Sequence, residues 1–352
     1  MLCSQCQRHI KKTQLTVLGV NQYAGLFVLG AQRAGFTVAG TLESGNFGSY
    51  TFRLNFPEAE CRINGEWGRV EDFAGVDLVV CAPPCAPWSN LSSKSKKGDT
   101  RERYKTDDRV GWMERGSQVS RQIIKPQAYA WESIIQIWDR AQPLIQAQRD
   151  RWMEAGYAVS IVLHDTSWLG APQRRVRFMF IAHQHELKWP PFVIPRTLHQ
   201  ILEGVEPGAK RWLDEDKKFL WEHAYAGQGY LRRAITKLNL SYKGPLPGVM
   251  TRRLSWDQVP PVLIDDHNRI HPSEPRYFSM NEHKALAGVG QNWKTSQRIT
   301  TSVKQVGEAV LPDVGEWIAT AVKNGLRSKP LAPTAMIYDF RDVHHCHVME
   351  YQ

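Results

Sequence analysis

Val76-Asp77-Leu78-Val79-Val80-Cys81-Ala82-Pro83-Pro84-Cys85-Ala86-Pro87-Trp88-Ser89 joins a short Val-rich run to a cluster of prolines. A short run of this kind reads as a buried strand. The prolines cannot continue a strand or enter a helix smoothly, so the chain must turn there. The turn presents Cys85 at the carboxyl end of a strand, where open α/β sheets hold their ligands. A thiol in that place is a candidate nucleophile, and the rest of the chain is read for its partners.

Upstream, Leu15-Thr16-Val17-Leu18-Gly19-Val20 predicts a first strand. Gly25 falls in a turn, a helix ends over Gly30-Ala31-Gln32-Arg33-Ala34-Gly35, and Phe36 to Leu42 predicts a second strand followed by Glu43. An acid in that position is where nucleotide-binding α/β folds hold ribose hydroxyls. Downstream, the pattern predicts a helix over 109–124, a strand over Ala128-Tyr129-Ala130-Trp131 ending at Glu132, and a helix over 138–154. It then predicts strands over 157–163 and 177–182. Strands alternating with helices argue for a largely parallel sheet covered on both faces. The periodicity weakens over 187–248 and returns in an amphipathic helix over 314–323.

The 352 residues suffice for one large or two ordinary domains, and 42% hydrophobic with 23% charged residues is ordinary for a soluble fold. No apolar stretch approaches the twenty residues needed to span a bilayer, and the first residues are too polar for a secretory signal. Six cysteines do not imply a disulfide scaffold, and a reducing cytoplasm keeps a nucleophilic thiol available. The net charge of +10 favours a polyanionic partner. Lys94, Lys96, Lys97, Arg101, Arg103, Lys105 and Arg109 form a basic stretch just after Cys85, set against Asp99, Glu102, Asp107 and Asp108. A basic loop there can close over a phosphate backbone, or be a solvated surface loop.

Three segments stand in order: Pro83-Pro84-Cys85, Trp131-Glu132 and Gln173-Arg174-Arg175-Val176-Arg177. Their order and spacing resemble the cytosine carbon-5 DNA methyltransferases, which carry Pro-Cys, Glu-Asn-Val and Gln-x-Arg-x-Arg motifs. The resemblance extends over nearly the whole chain. It includes Gly30 to Phe36, Arg252 to Asp257 with His271-Pro272, Arg276 to Glu282, and Gln305-Val306-Gly307-Glu308-Ala309-Val310-Leu311-Pro312.

The resemblance implies a class I methyltransferase-like (Rossmann-like) α/β fold, a mixed sheet with helices on both faces plus a smaller target-recognition domain. It implies a catalytic domain over 1–186 and 249–330, target recognition over 187–248, and a tail over 331–352. The implied reaction is transfer of methyl from S-adenosylmethionine to carbon 5 of a flipped cytosine in double-stranded DNA, as in restriction-modification. Cys85 would add to carbon 6, Glu132 would contact the ring nitrogen and amine, Arg177 would hold the carbonyl oxygen, and Arg175 would orient the loop and base. A cysteine is mostly protonated at neutral pH, and the basic surroundings of Cys85 are expected to lower its pKa. Tyr23, Gly25, Leu26, Glu43, Asn64, Pro83, Glu308 and Ala309 would line the donor site. The expected protein is a cytoplasmic monomer of a bacterial cell or phage-infected host.

The chain departs from the family pattern. Where the cofactor loop has three glycines it carries Tyr23, Gly25 and Leu26, and Asn64 stands where the third strand ends in an acid. Ala86 and Trp88 replace the usual Gln and Phe after the nucleophile, and Ser133 replaces the Asn after the Glu. These changes leave alternatives open: an enzyme adding a different group, or a non-catalytic DNA-binding relative. Separately, the resemblance also leaves open a transfer RNA cytosine-5 methyltransferase. Arg232, Arg233, Lys237 and Lys243 are candidate phosphate contacts. Cys3 and Cys6, with His344, His345, Cys346 and His347, are candidate zinc ligands set against two tails of chance composition.

Overall fold

The computed structural model describes residues 14–63, 67–89, 102–223, 231, 235–236, 251–262, 269–296 and 298–351. The expectations for Asn64, for Cys3 and Cys6, for the basic residues from 94 to 101, and for Arg232, Arg233, Lys237 and Lys243 lie outside the described residues.

The chain begins with β1 (Thr16–Val20), α1 (Leu26–Arg33), β2 (Thr37–Glu43), α2 (Ser49–Asn55), β3 (Glu60–Ile63) and β4 (Leu78–Cys81). Next come α3 (Val110–Val119), β5 (Ala128–Ile134), α4 (Gln136–Arg140), α5 (Gln142–Glu154), β6 (Ala158–Asp165) and β7 (Val176–His183). After these lie α6 (Leu198–Leu202), β8 (Arg211–Trp212), α7 (Glu215–His223), β9 (Arg252–Arg253), β10 (Arg269–Ile270) and β11 (Arg276–Tyr277). The chain closes with α8 (Met280–Leu286), α9 (Ile299–Glu308), α10 (Pro312–Gly325), β12 (Ala335–Phe340) and β13 (His347–Glu350).

The large sheet runs β13-β12-β6-β7-β5-β4-β1-β2-β3. Strands β1 to β5 pair in parallel, and β7 lies antiparallel between β5 and β6. Strands β1, β4 and β6 are buried almost throughout, which explains their continuous apolar runs: a strand covered on both faces has no side for polar residues. One face is covered by α1 and α10 around Leu26, Phe27, Val314 and Ile318. The other is covered by α3 to α5 around Met113, Ile137, Ile145 and Trp152. Helices α1 and α10 cross at Gly30 and Gly315, where an added Cβ would run into the facing backbone. The chain leaves β1 for β2 on one side and returns to β4 on the other. The carboxyl ends of β1 and β4 therefore flank a topological switch point, the preferred ligand position of open sheets.

The elements differ from expectation in particular places. The single helix expected over 138–154 is two, α4 and α5, broken at Ala141 (φ −127°) because Pro143 sits in the first turn of α5 and can only begin a helix. The helix over 109–124 passes from α3 into one π turn, Ser120–Ile124, and stops at Lys125 ahead of Pro126. The tail expected over 331–352 joins the sheet: β12 pairs in parallel with β6, and β13 pairs with β12.

Within 187–278, the leading residues pack on the large domain, with Trp189 stacked on Trp317 at 4.5 Å. A small sheet, β8-β11-β10-β9, follows. Three of its strands come from 252–277, stretches expected to belong to the catalytic return. Behind it, Arg276 makes a buried two-point contact with Glu282, at 2.8 and 2.9 Å. Glu282 also closes a capping box with Ser279 at the start of α8.

Candidate active site

A cavity of about 500 Å3 opens beyond the carboxyl ends of β1, β4 and β5, and Cys85, Glu132, Arg175 and Arg177 all line it. The four residues expected to carry the chemistry therefore meet in one place.

Cys85 begins a tight turn in which its carbonyl accepts from the amides of Trp88 (3.2 Å) and Ser89 (3.1 Å). The turn is held from outside. Arg103 donates to the carbonyls of Ala86 (2.7 Å), Pro87 (3.1 Å) and Ser89 (2.8 Å), and Arg140 donates to that of Trp88 (2.6 Å). The Trp88 indole N–H donates to the Ser133 hydroxyl at 2.8 Å. Two of the departures from the family pattern are thus one contact, tying the Cys85 turn to the strand that bears Glu132.

Glu132 and Arg177 stand together because β5 and β7 are antiparallel. Arg177 is directly opposite Ile134, and Glu132 is opposite Met179, so the two charged residues are diagonal neighbours on one face. The Arg177 Nε lies 3.0 Å from a Glu132 oxygen. Arg175, buried at the wall of the same cavity, donates to Gln173 (2.8 Å), to the Ala309 carbonyl (2.9 Å) and to the Gly307 carbonyl. It locks the end of α9 to the start of β7 and so shapes the cavity wall.

The electrostatics correct one expectation. Cys85 is open to the cavity mouth but walled by protein elsewhere. That enclosure pushes its thiol above the ordinary value; Arg177 pulls it down, and Glu132 and Glu308 push it up. Of the basic stretch, Arg109 lines the same cavity and interacts with Cys85, but burial outweighs the cations and the thiol stays raised. Burial likewise raises the Glu132 carboxyl, opposed by Arg177 and Arg175. In the free protein the thiol and the carboxyl both lean toward holding a proton.

A second cavity of about 280 Å3 adjoins the first, lined by Asn21, Glu43, Phe47, Trp112, Lys304 and Glu308 among others. Tyr23, Pro84, Arg109 and Glu308 line both cavities and form the wall between them. Glu43 is buried at the end of β2. Its carboxylate accepts from the Gln22 amide (3.0 Å), the Tyr23 amide (3.4 Å) and the Thr41 hydroxyl (2.6 Å). Burial raises it to about 7, and those three hydrogen bonds oppose the rise. Asn21 and Tyr23 both adopt left-handed backbone, at φ +51° and +63°. The turn geometry that glycine would favour is therefore kept with larger residues.

Other expected positions fare differently. Pro83 and Ala309 line the larger cavity. Gly25 and Leu26 line neither: Leu26 is buried in the core, and Gly25, at φ +95°, faces Phe52 and Phe56. Their part is to start α1 and pack it. Among the described residues no group of three or more His, Cys, Asp or Glu could hold a metal ion. In the sequence Arg103 and Arg109 are members of a basic stretch; in the fold Arg103 holds the Cys85 turn and Arg109 lines both cavities. Arg109 is paired with Asp107 at 2.6 Å, and the Asp-x-Arg spacing was the available signal.

Residues 16–324 match the family described as C-5 cytosine-specific DNA methylase. Type II methyltransferase M.NgoMIV of Neisseria gonorrhoeae is 26% identical over 329 residues, covering 90% of this chain and 99% of that relative. Type II methyltransferase M.Sau96I of Staphylococcus aureus is 22% identical over 324 residues, covering 85% of this chain and 73% of that relative. Among solved structures, one described as a DNA modification methyltransferase encoded within an E. coli prophage matches with a TM-score of 0.68 at 18% identity. That match covers 90% of this chain and 100% of the other, and it supports the Rossmann-like fold.

Proposed function

The chain belongs to the C-5 cytosine-specific DNA methylases, and on that premise we propose that it transfers methyl from S-adenosylmethionine to carbon 5 of a cytosine drawn out of duplex DNA. The observation that carries this reading is the convergence of Cys85, Glu132 and Arg177 in one cavity, with the latter two joined at 3.0 Å.

Carbon 5 of cytosine is a weak nucleophile. As the sulfur of Cys85 bonds to carbon 6, the electrons of the 5,6 double bond shift into the ring, and nitrogen 3 gains basicity. Glu132, inclined by burial to carry a proton, is suited to donate it to nitrogen 3. Arg177 fixes the Glu132 carboxyl and leaves guanidinium N–H groups for the base carbonyl. It also steadies the thiolate that forms when the Cys85 thiol gives its proton to solvent at the cavity mouth, before the sulfur adds to carbon 6. The turn clamped by Arg103 and Arg140 holds the sulfur still, which matters because small misplacements at a reacting centre are costly.

The second cavity has the chemistry for the donor. The Glu43 carboxylate suits a ribose diol, Phe47 and Trp112 offer aromatic faces for adenine, and Lys304 and Glu308, 3.8 Å apart, present opposite charges to an amino-acid zwitterion. When bound, S-adenosylmethionine supplies an electrophilic methyl. Target recognition is assigned to residues 187–248 together with the small sheet that they enter. No helix among the described residues is long and apolar enough to cross a membrane.

The test is to incubate the protein with duplex DNA and S-adenosylmethionine and weigh the modified nucleoside. A methyl increment on cytosine is expected. The Cys85→Ser variant should form none, and should form no covalent complex with 5-fluorocytosine DNA. Full activity in that variant would overturn the reading.

A further inference from the structure

Tyr23 lies in left-handed backbone at φ +63°, which is unfavourable for a residue that carries a side chain. Strain of this kind marks positions where the side chain or turn serves a ligand. The turn has little freedom to relax. The Tyr23 amide is held by Glu43, and the backbone at Gly48 packs so tightly on Tyr23 and Ala24 that an added Cβ would collide with them.

The ring itself spans the wall between the two cavities. On the side of the smaller cavity it meets Phe47 edge-on at 5.9 Å between centroids. Its hydroxyl end is within electrostatic reach of Cys85 and Glu308. Burial, and then Cys85 and Glu308, hold it as a neutral phenol, well above the usual tyrosine range. An uncharged, rigid ring held by a strained turn between the place for a donor and the place for a base is a steric device.

We propose that Tyr23 is a specificity-determining residue that sets the width of the passage between the two cavities, so that a methyl fits through it and a longer group does not. The proposal rests on the reading of the smaller cavity as the donor site. It predicts selection by size, because one extra methylene against a rigid wall already separates ligands by about 10- to 200-fold.

The experiment measures binding by calorimetry, with the full chain and no DNA. The probes are S-adenosylmethionine and the analogue carrying propargyl in place of methyl. Wild type should bind the analogue at least about 30-fold more weakly. Tyr23→Gly, whose glycine tolerates the left-handed turn, should bring the two within about 3-fold. Tyr23→Phe, which keeps the ring, should retain the wild-type ratio. Thermal melting establishes that each variant is folded. A Tyr23→Gly variant that binds S-adenosylmethionine and keeps the wild-type ratio would refute the gate alone. So would a wild type that binds both probes equally. Failure of wild type to bind S-adenosylmethionine at all would overturn the donor reading, and the gate with it.

Discussion

Replacing Arg177 by Gln isolates the charge that the site depends on. In the folded protein its Nε lies 3.0 Å from Glu132, and the two side chains are only 16% and 13% exposed. At the effective dielectric of such sites, two unit charges at that separation attract by roughly 5 kcal/mol before desolvation is counted. Removing one partner of a buried pair typically costs about 3–5 kcal/mol if the other must stay charged. Glu132 has an alternative, which is to take up a proton. Its carboxyl is already raised by burial, and Arg177 is the strongest influence lowering it. Without Arg177 the burial that raises it is opposed by Arg175 alone, so it should rise further.

The sign of the pH dependence follows. A carboxyl whose folded pKa lies above its unfolded value loses stability as pH climbs through that window. From this source wild type and Arg177→Gln should therefore differ least at the acid end, where Glu132 takes up its proton whether the chain is folded or not. They should diverge as pH rises, with Arg177→Gln the less stable, by at most about 3–5 kcal/mol, the cost of losing one partner of a buried pair. Glu132→Gln added to Arg177→Gln should recover most of the difference, a coupling of about 1–3 kcal/mol. Cys85 loses its nearby cation as well, so its alkylation by iodoacetamide at pH 8 should slow by about 3- to 10-fold. Melting curves from pH 4 to 9 on the three proteins, with alkylation followed by mass, decide the matter. A stability gap that does not vary with pH, or a double variant no better than the single, would refute the coupling of these two side chains.

The Arg103 clamp on the nucleophile turn makes a kinetic prediction: Arg103→Met should slow covalent trapping by 5-fluorocytosine DNA by about 100-fold. Arg103→Lys should restore only part of it, since an ammonium cannot span three carbonyls, and an unchanged trapping rate would show that the turn holds itself. Ser133→Ala leaves the Trp88 indole N–H buried without its partner and should cost about 1–3 kcal/mol in denaturant unfolding. Trp88→Phe in the same chain should recover part of that loss by removing the orphaned donor. Asp313, in the first turn of α10, is raised by burial to about 6 from an ordinary 3.8. Its charge therefore opposes folding above that range. Asp313→Asn should stabilise the protein by about 1–2 kcal/mol at pH 8, and the gain should vanish by about pH 4.

What could be read in advance divides along a physical line. Strands β1, β4 and β6 announce themselves because burial on both faces leaves unbroken apolar runs, and a strand end locates Cys85 without any tertiary knowledge. Glu132 and Arg177 are legible as members of ordered motifs. Their 3.0 Å contact is not, because it depends on β7 running antiparallel beside β5 in one register. A shift of one residue would send Arg177 to the other face. The Cys85 pKa failed for a related reason. Charges counted along the chain are a local quantity, whereas desolvation depends on walls brought from β1, β5, β7 and α9.

The departures from the family pattern carry the larger lesson. Read singly, Trp88 and Ser133 are two losses of expected residues, and Tyr23 is a missing glycine. In the folded chain Trp88 and Ser133 satisfy each other across 45 positions of sequence. Replacing either alone would leave a buried polar atom unpaired or the turn untethered. Tyr23 keeps the left-handed turn at an energetic cost and places a ring where a glycine would leave space. The Trp88–Ser133 pair is self-compensating and leaves the Cys85 turn tethered, whereas Tyr23 is a strained change with the ring at the shared wall of the two cavities. The two classes are distinguishable by experiment. Reverting Ser133 to the family's Asn without also changing Trp88 should weaken folding, and opening Tyr23 to Gly should leave the chain folded and shift its choice of donor.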